Sequence, residues 1–286
     1  MIDRFINVRG LRLSAREWRT AAQGGTKPVL MLHGYLDHKA SFDLLAPLLP
    51  PPLAPIAIDM RGHGDSDRVG PGGFYHLAEF VADTLLALRE LGISRAPIIG
   101  HSLGGIVAKL AAAASPDLVE RVVALEALGP LTAEADEAAE RLGSYAAGLA
   151  RVRTEARAHP SREAALARLH DAAPQLPPHA LELMLDGGAR RTEGGGYVFK
   201  HDPLLRVRSP HPYSEAHVLA MLGAIRCPVL LVYAEPNTAP LPREIIRARA
   251  NAIAQREEHV IANVGHHLHL EVPQKVAAAI VPFLLR

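Results

Sequence analysis

The 286-residue chain contains one cysteine, Cys227, so no internal disulfide can form. Its setting, Arg226-Cys227-Pro228-Val229-Leu230-Leu231-Val232, puts the thiol at the start of an apolar strand, where a small buried group is expected rather than a reactive one. The chain also lacks any block of one charge sign: 31 basic and 30 acidic residues are interspersed and leave a formal net charge of +1. Nothing here recruits a polyanion, and no nucleic-acid partner is expected. No stretch reaches the ~18 apolar residues needed to cross a bilayer. Met1-Ile2-Asp3-Arg4-Phe5 carries charges where a secretory leader needs an apolar run, so a cytoplasmic protein is the expectation. Repeats and low-complexity tails are missing as well. What is present, 49% hydrophobic and 21% charged residues, suits an α/β domain large enough to bury a core and carry an insertion.

One stretch carries a sharp local signal. Ile98-Ile99-Gly100-His101-Ser102-Leu103-Gly104-Gly105-Ile106-Val107 is entered through an apolar, β-prone run and left through apolar residues at helical spacing. The pattern predicts a strand, a sharp turn and a helix. Ser102 sits at the strained turn, and the missing side chains at Gly100 and Gly104 relieve the crowding around it.

Around this stretch the periodicity predicts alternating strands and helices. Residues 2–19 read as an antiparallel hairpin about Arg9-Gly10, followed by a turn at Gln23-Gly24-Gly25-Thr26. Pro28–Leu32 is a short buried strand leading into His33-Gly34-Tyr35-Leu36-Asp37. A helix over 41–49 is stopped by Pro50-Pro51-Pro52. A strand over 54–59, the glycine-rich loop Met60–Ser66 and a helix over 77–91 lead to the Ser102 turn. The next strand covers 121–126. From 131 to 213 buried-type strands give way to helical segments rich in Ala, Glu and Arg. The first has Glu134, Asp136 and Glu137 at its start and Arg151, Arg153 and Arg157 at its end, complementing the helix dipole. A second covers 161–173, and a third opens at Pro177-Pro178 and closes at Gly187-Gly188. Alternation resumes with a strand over 228–233, a helix over 243–254, a strand over 259–261 and a helix from Pro273. The expected fold is a mostly parallel sheet flanked by helices, formed by residues 1–130 and 214–286, with 131–213 as a helical insertion.

A serine hydroxyl becomes a useful nucleophile only when a base removes its proton and donors face the developing oxyanion. Asn263-Val264-Gly265-His266-His267-Leu268-His269-Leu270-Glu271-Val272-Pro273 supplies histidines on the loop after the last strand. A metal site built from His266, His267 and His269 is the competing reading. No second acidic cluster accompanies them, so no metal and no cofactor are expected.

With this order of elements, nearly the whole chain resembles the α/β-hydrolase superfamily. The glycine-flanked Ser102 is similar to its nucleophile elbow and His33-Gly34 to its oxyanion loop. Asp59-Met60-Arg61-Gly62-His63-Gly64 is similar to a loop of its esterase-like branches, and 131–213 to its helical cap. His33-Gly34-Tyr35-Leu36-Asp37 and Glu126-Ala127-Leu128-Gly129-Pro130 more narrowly resemble a serine-hydrolase-like branch. The resemblance implies Ser102 as nucleophile. It implies His266 as general base, since the family's base follows a glycine ahead of a Glu-x-Pro stretch; His267 is the alternative. The oxyanion donors would be the backbone amides of Tyr35 and Leu103. His33, Arg61, His63 and His101 are expected to shape and pack these loops.

The triad acid departs from the common pattern. It usually follows the strand here at 229–233, yet that loop reads Ala234-Glu235-Pro236-Asn237-Thr238, with an amide where the aspartate falls. The other position known in the superfamily is the end of the preceding strand, where Glu126 follows Leu125. Glu126 is therefore the expected acid and Glu235 the alternative. The implied reaction is hydrolysis of a carboxylic ester, thioester or lactone through an acyl-enzyme on Ser102. A serine at the elbow argues against epoxide and haloalkane chemistry. A carbon–carbon bond hydrolase with the same triad, or a non-catalytic ligand-binding protein, are the alternatives. Apolar positions at helical spacing in the insertion, among them Leu142, Tyr145, Leu166 and Met184, lead to the expectation of an apolar small-molecule partner.

Overall fold

Apolar and polar residues alternate on both sides of Arg9-Gly10, and the chain pairs there as an antiparallel hairpin, β1 (Ile2–Val8) with β2 (Leu11–Glu17). The computed structural model describes residues 1–18, 26–127, 129–152, 156–236, 238 and 241–286. Arg19, the turn at Gln23-Gly24-Gly25, Leu128, Arg153 and Asn237 lie outside the described residues. The elements that follow are β3 (Lys27–Leu32), β4 (Leu53–Ile58), α1 (Leu77–Glu90), β5 (Ala96–His101), α2 (Leu103–Ala114), β6 (Val119–Leu125), α3 (Ala138–Arg151), α4 (Arg162–Ala172) and α5 (Pro178–Gly188). Next come β7 (Ala189–Arg191), β8 (Tyr197–Phe199), α6 (Glu215–Gly223), β9 (Val229–Glu235), α7 (Arg243–Ala252), β10 (Arg256–Ala262), the single turn α8 (Leu268–Glu271) and α9 (Pro273–Leu285).

Eight strands form one sheet in the order β1-β2-β4-β3-β5-β6-β9-β10. The pairs β1-β2 and β2-β4 are antiparallel and all others are parallel. Every residue of β4 and β5 is buried, as expected for strands covered on both faces. Neighbouring residues feed opposite layers. Leu30 and Val122 pack with α1, α2, α6 and α7 through Leu88, Val107, Leu222 and Ala250. Met31 and Val123 pack on the other face with Phe42 and with Val276 and Ile280 of α9. Cys227 is buried and its thiol is pushed up by that burial, as its apolar setting implied.

Three local features differ from the sequence-based expectations. The helix over 41–49 is instead a pair of 3-10 turns, Lys39–Phe42 and Ala46–Leu48, whose amides bond three residues back: Leu45 to Phe42 and Leu49 to Ala46. Pro47 has no amide to donate to residue 43, so an α-helix cannot run through it. Within 131–213 the helices α3, α4 and α5 form, but a small hairpin of β7 and β8 follows them. Its three-residue strands are too short for alternation to register. Helix α6 was not anticipated either; Ser214 and His217 close a capping box at its start.

The segment 131–213 is anchored to the sheet layer through α5. Leu176, Ala180, Leu181 and Met184 pack around Leu270, and His38 Nε2 donates to the Met184 carbonyl at 3.0 Å. The close approach needs glycine: a Cβ on Gly187 would stand 2.4 Å from the His38 ring. No helix among the described residues is long and apolar enough to cross a membrane.

Candidate active site

The carboxyl ends of the parallel strands converge on one edge of the sheet, and backbone strain concentrates there. Leu36 after β3, Ser102 after β5, Glu126 after β6 and Asn263 after β10 all hold positive φ, between 48° and 58°. Such conformations cost non-glycine residues roughly 1–3 kcal/mol each and persist where surrounding structure enforces them. At Ser102 the enforcement is visible. A Cβ on Gly100 would lie 2.3 Å from the Gly104 carbonyl oxygen, and one on Gly104 would lie 2.0 Å from that of Leu32. The glycines let β3, β5 and α2 close on one another, and the turn is forced between them.

Glu126 leaves β6 into this edge with its side chain 1% exposed. Its Oε1 accepts from the Ala234 amide at 2.5 Å, and its Oε2 accepts from the Thr238 hydroxyl. His266 Nδ1 lies 3.2 Å from Thr238 Oγ1 and 3.6 Å from Glu126 Oε2. The hydroxyl thus bridges the two: it donates to the carboxylate and can accept from the imidazole. Glu235 is exposed and makes no hydrogen bond to His266. Nothing in the sequence marks Thr238, because a lone threonine after a strand carries no motif of its own. The structure brings Glu126, Thr238 and His266 together, whereas no hydrogen bond joins the Ser102 hydroxyl to His266 among the described residues.

The Tyr35 and Leu103 amides donate to no acceptor among the described residues. Leu103 opens α2, where amides lack intrahelical partners and the helix dipole favours negative charge. The loop carrying Tyr35 is tied down by His33, which is fully buried. His33 Nε2 accepts from the Met60 amide at 2.9 Å, and Nδ1 donates to the Gly34 carbonyl at 2.8 Å. Arg61 makes two short bonds to the buried Asp83, at 2.5 and 2.6 Å. Asp59 accepts from the backbone and side chain of Lys39. His33 and Arg61 thus hold loops, in line with their expected architectural role, and Asp59 and Lys39 add to it.

Behind His266 lies a buried cluster of imidazoles. His101 Nε2 donates to the His266 carbonyl at 2.9 Å, and the His101 ring centroid is 4.3 Å from that of His269. His101 Nδ1, His267 Nδ1 and both nitrogens of His269 are buried without partners. Burial holds all three rings below the ordinary histidine range, His267 at about 4. Among the described residues His267 has no carboxylate partner, so of the two candidate bases His266 is the one with an acid beside it. Asp37, His101 and His269 offer ligand atoms within 4.8 Å of one another and could hold a metal ion, a different trio from the one considered in the sequence.

A cavity of about 1160 Å³ opens above the edge. Tyr35, Leu36, Asp37 and His267 form its floor, and residues of α3, α4 and α5 and of the segment 199–209 contribute its walls. Leu169, Leu176 and Met184 supply apolar surface, and six arginines also line it.

The alpha/beta hydrolase fold model matches residues 27–273. A serine hydrolase-like protein of Danio rerio is 31% identical over 266 residues, covering 90% of this chain and 81% of that protein. Serine hydrolase-like protein 2 of Homo sapiens is 28% identical over 291 residues, covering 95% and 90%. Among solved structures, a hypothetical protein from Pseudomonas aeruginosa PAO1 is similar with a TM-score of 0.91 and 33% identity, over 99% of both chains.

Proposed function

Because this chain belongs to the alpha/beta hydrolase fold family, as a serine hydrolase-like member of it, we propose that it hydrolyses a carboxylic ester, thioester or lactone through an acyl-enzyme on Ser102. Ser102 Oγ adds to the scissile carbonyl while His266 Nε2 takes its proton. The oxyanion that forms is held by the Tyr35 and Leu103 amides. Collapse breaks the bond to the leaving alcohol or thiol, which receives the proton from His266. Water, deprotonated by the same imidazole, then releases the acid and returns the hydrogen to Ser102. Glu126, directly and through the Thr238 hydroxyl, keeps His266 Nδ1 protonated and balances the imidazolium. Residues 131–213 act as a cap over the site carried by 1–130 and 214–286.

The observation that carries this reading is the buried Glu126 carboxylate facing His266 beside a serine in a strained turn. The Ser102–His266 contact closes when substrate binds, since catalytic hydrogen bonds tighten in the Michaelis complex. That open contact is also the one observation favouring a binding protein without turnover. A fluorophosphonate probe separates the two: labelling of the native chain and not of Ser102→Ala is expected. A native chain left unlabelled overturns the hydrolase reading. A carbon–carbon bond substrate would use the same residues and is distinguished by whether simple aryl esters turn over.

A further inference from the structure

We propose that the substrate carries an oxyanion group, a carboxylate or a phosphate, at a distance from the scissile carbonyl, and that the arginines lining the cavity bind it. This rests on the hydrolase reading of Ser102 and names the substrate class for that site. Arg141 and Arg151 come from α3, Arg157 from the connection to α4, Arg168 from α4, and Arg206 and Arg208 from the segment before α6. The acidic groups on the same wall are Glu137 and Glu140, with the buried Asp37 on the floor. Glu137 already faces Arg141 at 3.6 Å and accepts from the Glu134 amide at 3.1 Å. Asp37 is engaged by the His38 amide at 2.7 Å.

The remaining arginines find no carboxylate. Among the described residues, none lies within ion-pair distance of Arg151, Arg157, Arg168, Arg206 or Arg208, whereas Arg162, on the same helix as Arg168, pairs with both Glu182 and Asp186. The buried Nε of Arg141 has no acceptor either. A chain with a net charge of only +1 thus places five guanidinium groups without a carboxylate partner on one concavity, one of them, Arg206, reaching His201 Nε2 at 3.4 Å. Such a wall attracts anions into the cleft and offers planar donors that match carboxylate and phosphate oxygens. Arg157, His159 and Arg168 line one stretch of the cavity, and Arg206, Val207 and Arg208 another. The Tyr35 hydroxyl donates to the Leu205 carbonyl at 3.0 Å, so this arginine pair stands next to the loop that carries a candidate oxyanion donor. A volume of about 1160 Å³ exceeds what a short neutral ester fills, and the cavity meets the Ser102 edge through Tyr35, Leu36 and His267 of its floor, Ser102 itself lying outside its lining.

The test compares matched substrates on the full-length chain. One arm sets p-nitrophenyl butyrate against the p-nitrophenyl monoesters of glutarate and adipate. The other sets a neutral N-acetylcysteamine thioester against the phosphopantetheine thioester of the same acid. At least one anionic member is expected to exceed its neutral counterpart in kcat/KM by ~10-fold or more, with the advantage shrinking as salt rises. The responding arm identifies carboxylate or phosphate. The double variants Arg157→Gln/Arg168→Gln and Arg206→Gln/Arg208→Gln, checked for folding by circular dichroism, are expected to lower the anionic-to-neutral ratio ~10-fold each. Equal kcat/KM for anionic and neutral members, or a preference that neither double variant moves, overturns this inference and leaves the hydrolase reading standing. Absence of all ester turnover together with absence of fluorophosphonate labelling overturns both.

Discussion

At the residue scale, Glu126 and Thr238 divide one task in the proposed mechanism. The carboxylate, which accepts from the Thr238 hydroxyl, would supply the charge an imidazolium needs, and the hydroxyl, 3.2 Å from His266 Nδ1, would fix where the imidazole points. Removing charge should cost more than removing the hydroxyl. Glu126→Gln is expected to lower kcat by ~10³–10⁴-fold with Glu235→Gln near native, measured with an aryl ester; the reverse ranking moves the acid to Glu235. Thr238→Val is expected to lower kcat ~10-fold at nearly constant KM, and Thr238→Ser to restore it, because the positioning needs only the hydroxyl. Ser102 and the His266 loop were legible from glycine placement and from a histidine set after the last strand. The bridge through Thr238 was not, since it depends on Thr238 and Glu126, far apart along the chain, meeting beside His266.

Among the elements, the β5–turn–α2 unit is the most constrained. Gly104 faces backbone, the Leu32 carbonyl, and backbone cannot swing aside as a side-chain end can. Gly104→Ala is therefore expected to cost more than about 3 kcal/mol in urea unfolding, or to abolish folding, while Gly143→Ala, which meets nothing within 4 Å on exposed α3, leaves the midpoint near native. The sheet was readable in the sequence because buried parallel strands are near-continuous apolar runs bounded by glycine and proline. The 3-10 turns at 39–48 and the β7–β8 hairpin were not. In the first, burial of all four residues of Lys39–Phe42 and the missing amide of Pro47 outweigh helical spacing. In the second, each three-residue strand spans only one and a half alternations, too few to stand out.

The whole molecule buries an unusual amount of titratable nitrogen. Burial depresses His33, His38, His63, His101, His267 and His269, and His201 to about 4. The unfolded chain takes up protons on these rings near pH 6.5, whereas the folded chain does so only at lower pH, so the unfolded state binds more protons in between. Stability should fall as pH drops from about 6.5 toward 4, at ~1.4 kcal/mol per pH unit for each ring still neutral in the fold. Asp37, raised by burial, works in the opposite direction in the carboxylate range. Lys109 is buried, lowered to about 7, and donates to the Ala127 carbonyl at 2.6 Å. It should make stability rise between pH ~7 and ~10, a rise that Lys109→Met removes. Urea midpoints across this range check both limbs, and a flat acid limb would refute the buried-histidine account. The order of strands and helices, the glycine-flanked serine and the family resemblance were determined by the sequence alone, because they rest on local periodicity and on contacts the backbone makes with its near neighbours. Which carboxylate faces His266, which hydroxyl bridges them, and the gathering of scattered arginines onto one cavity were decided only by the tertiary structure. Each of those brings together side chains that lie far apart along the chain, and a charge balance of +1 over 286 residues says nothing about where in space the charges meet.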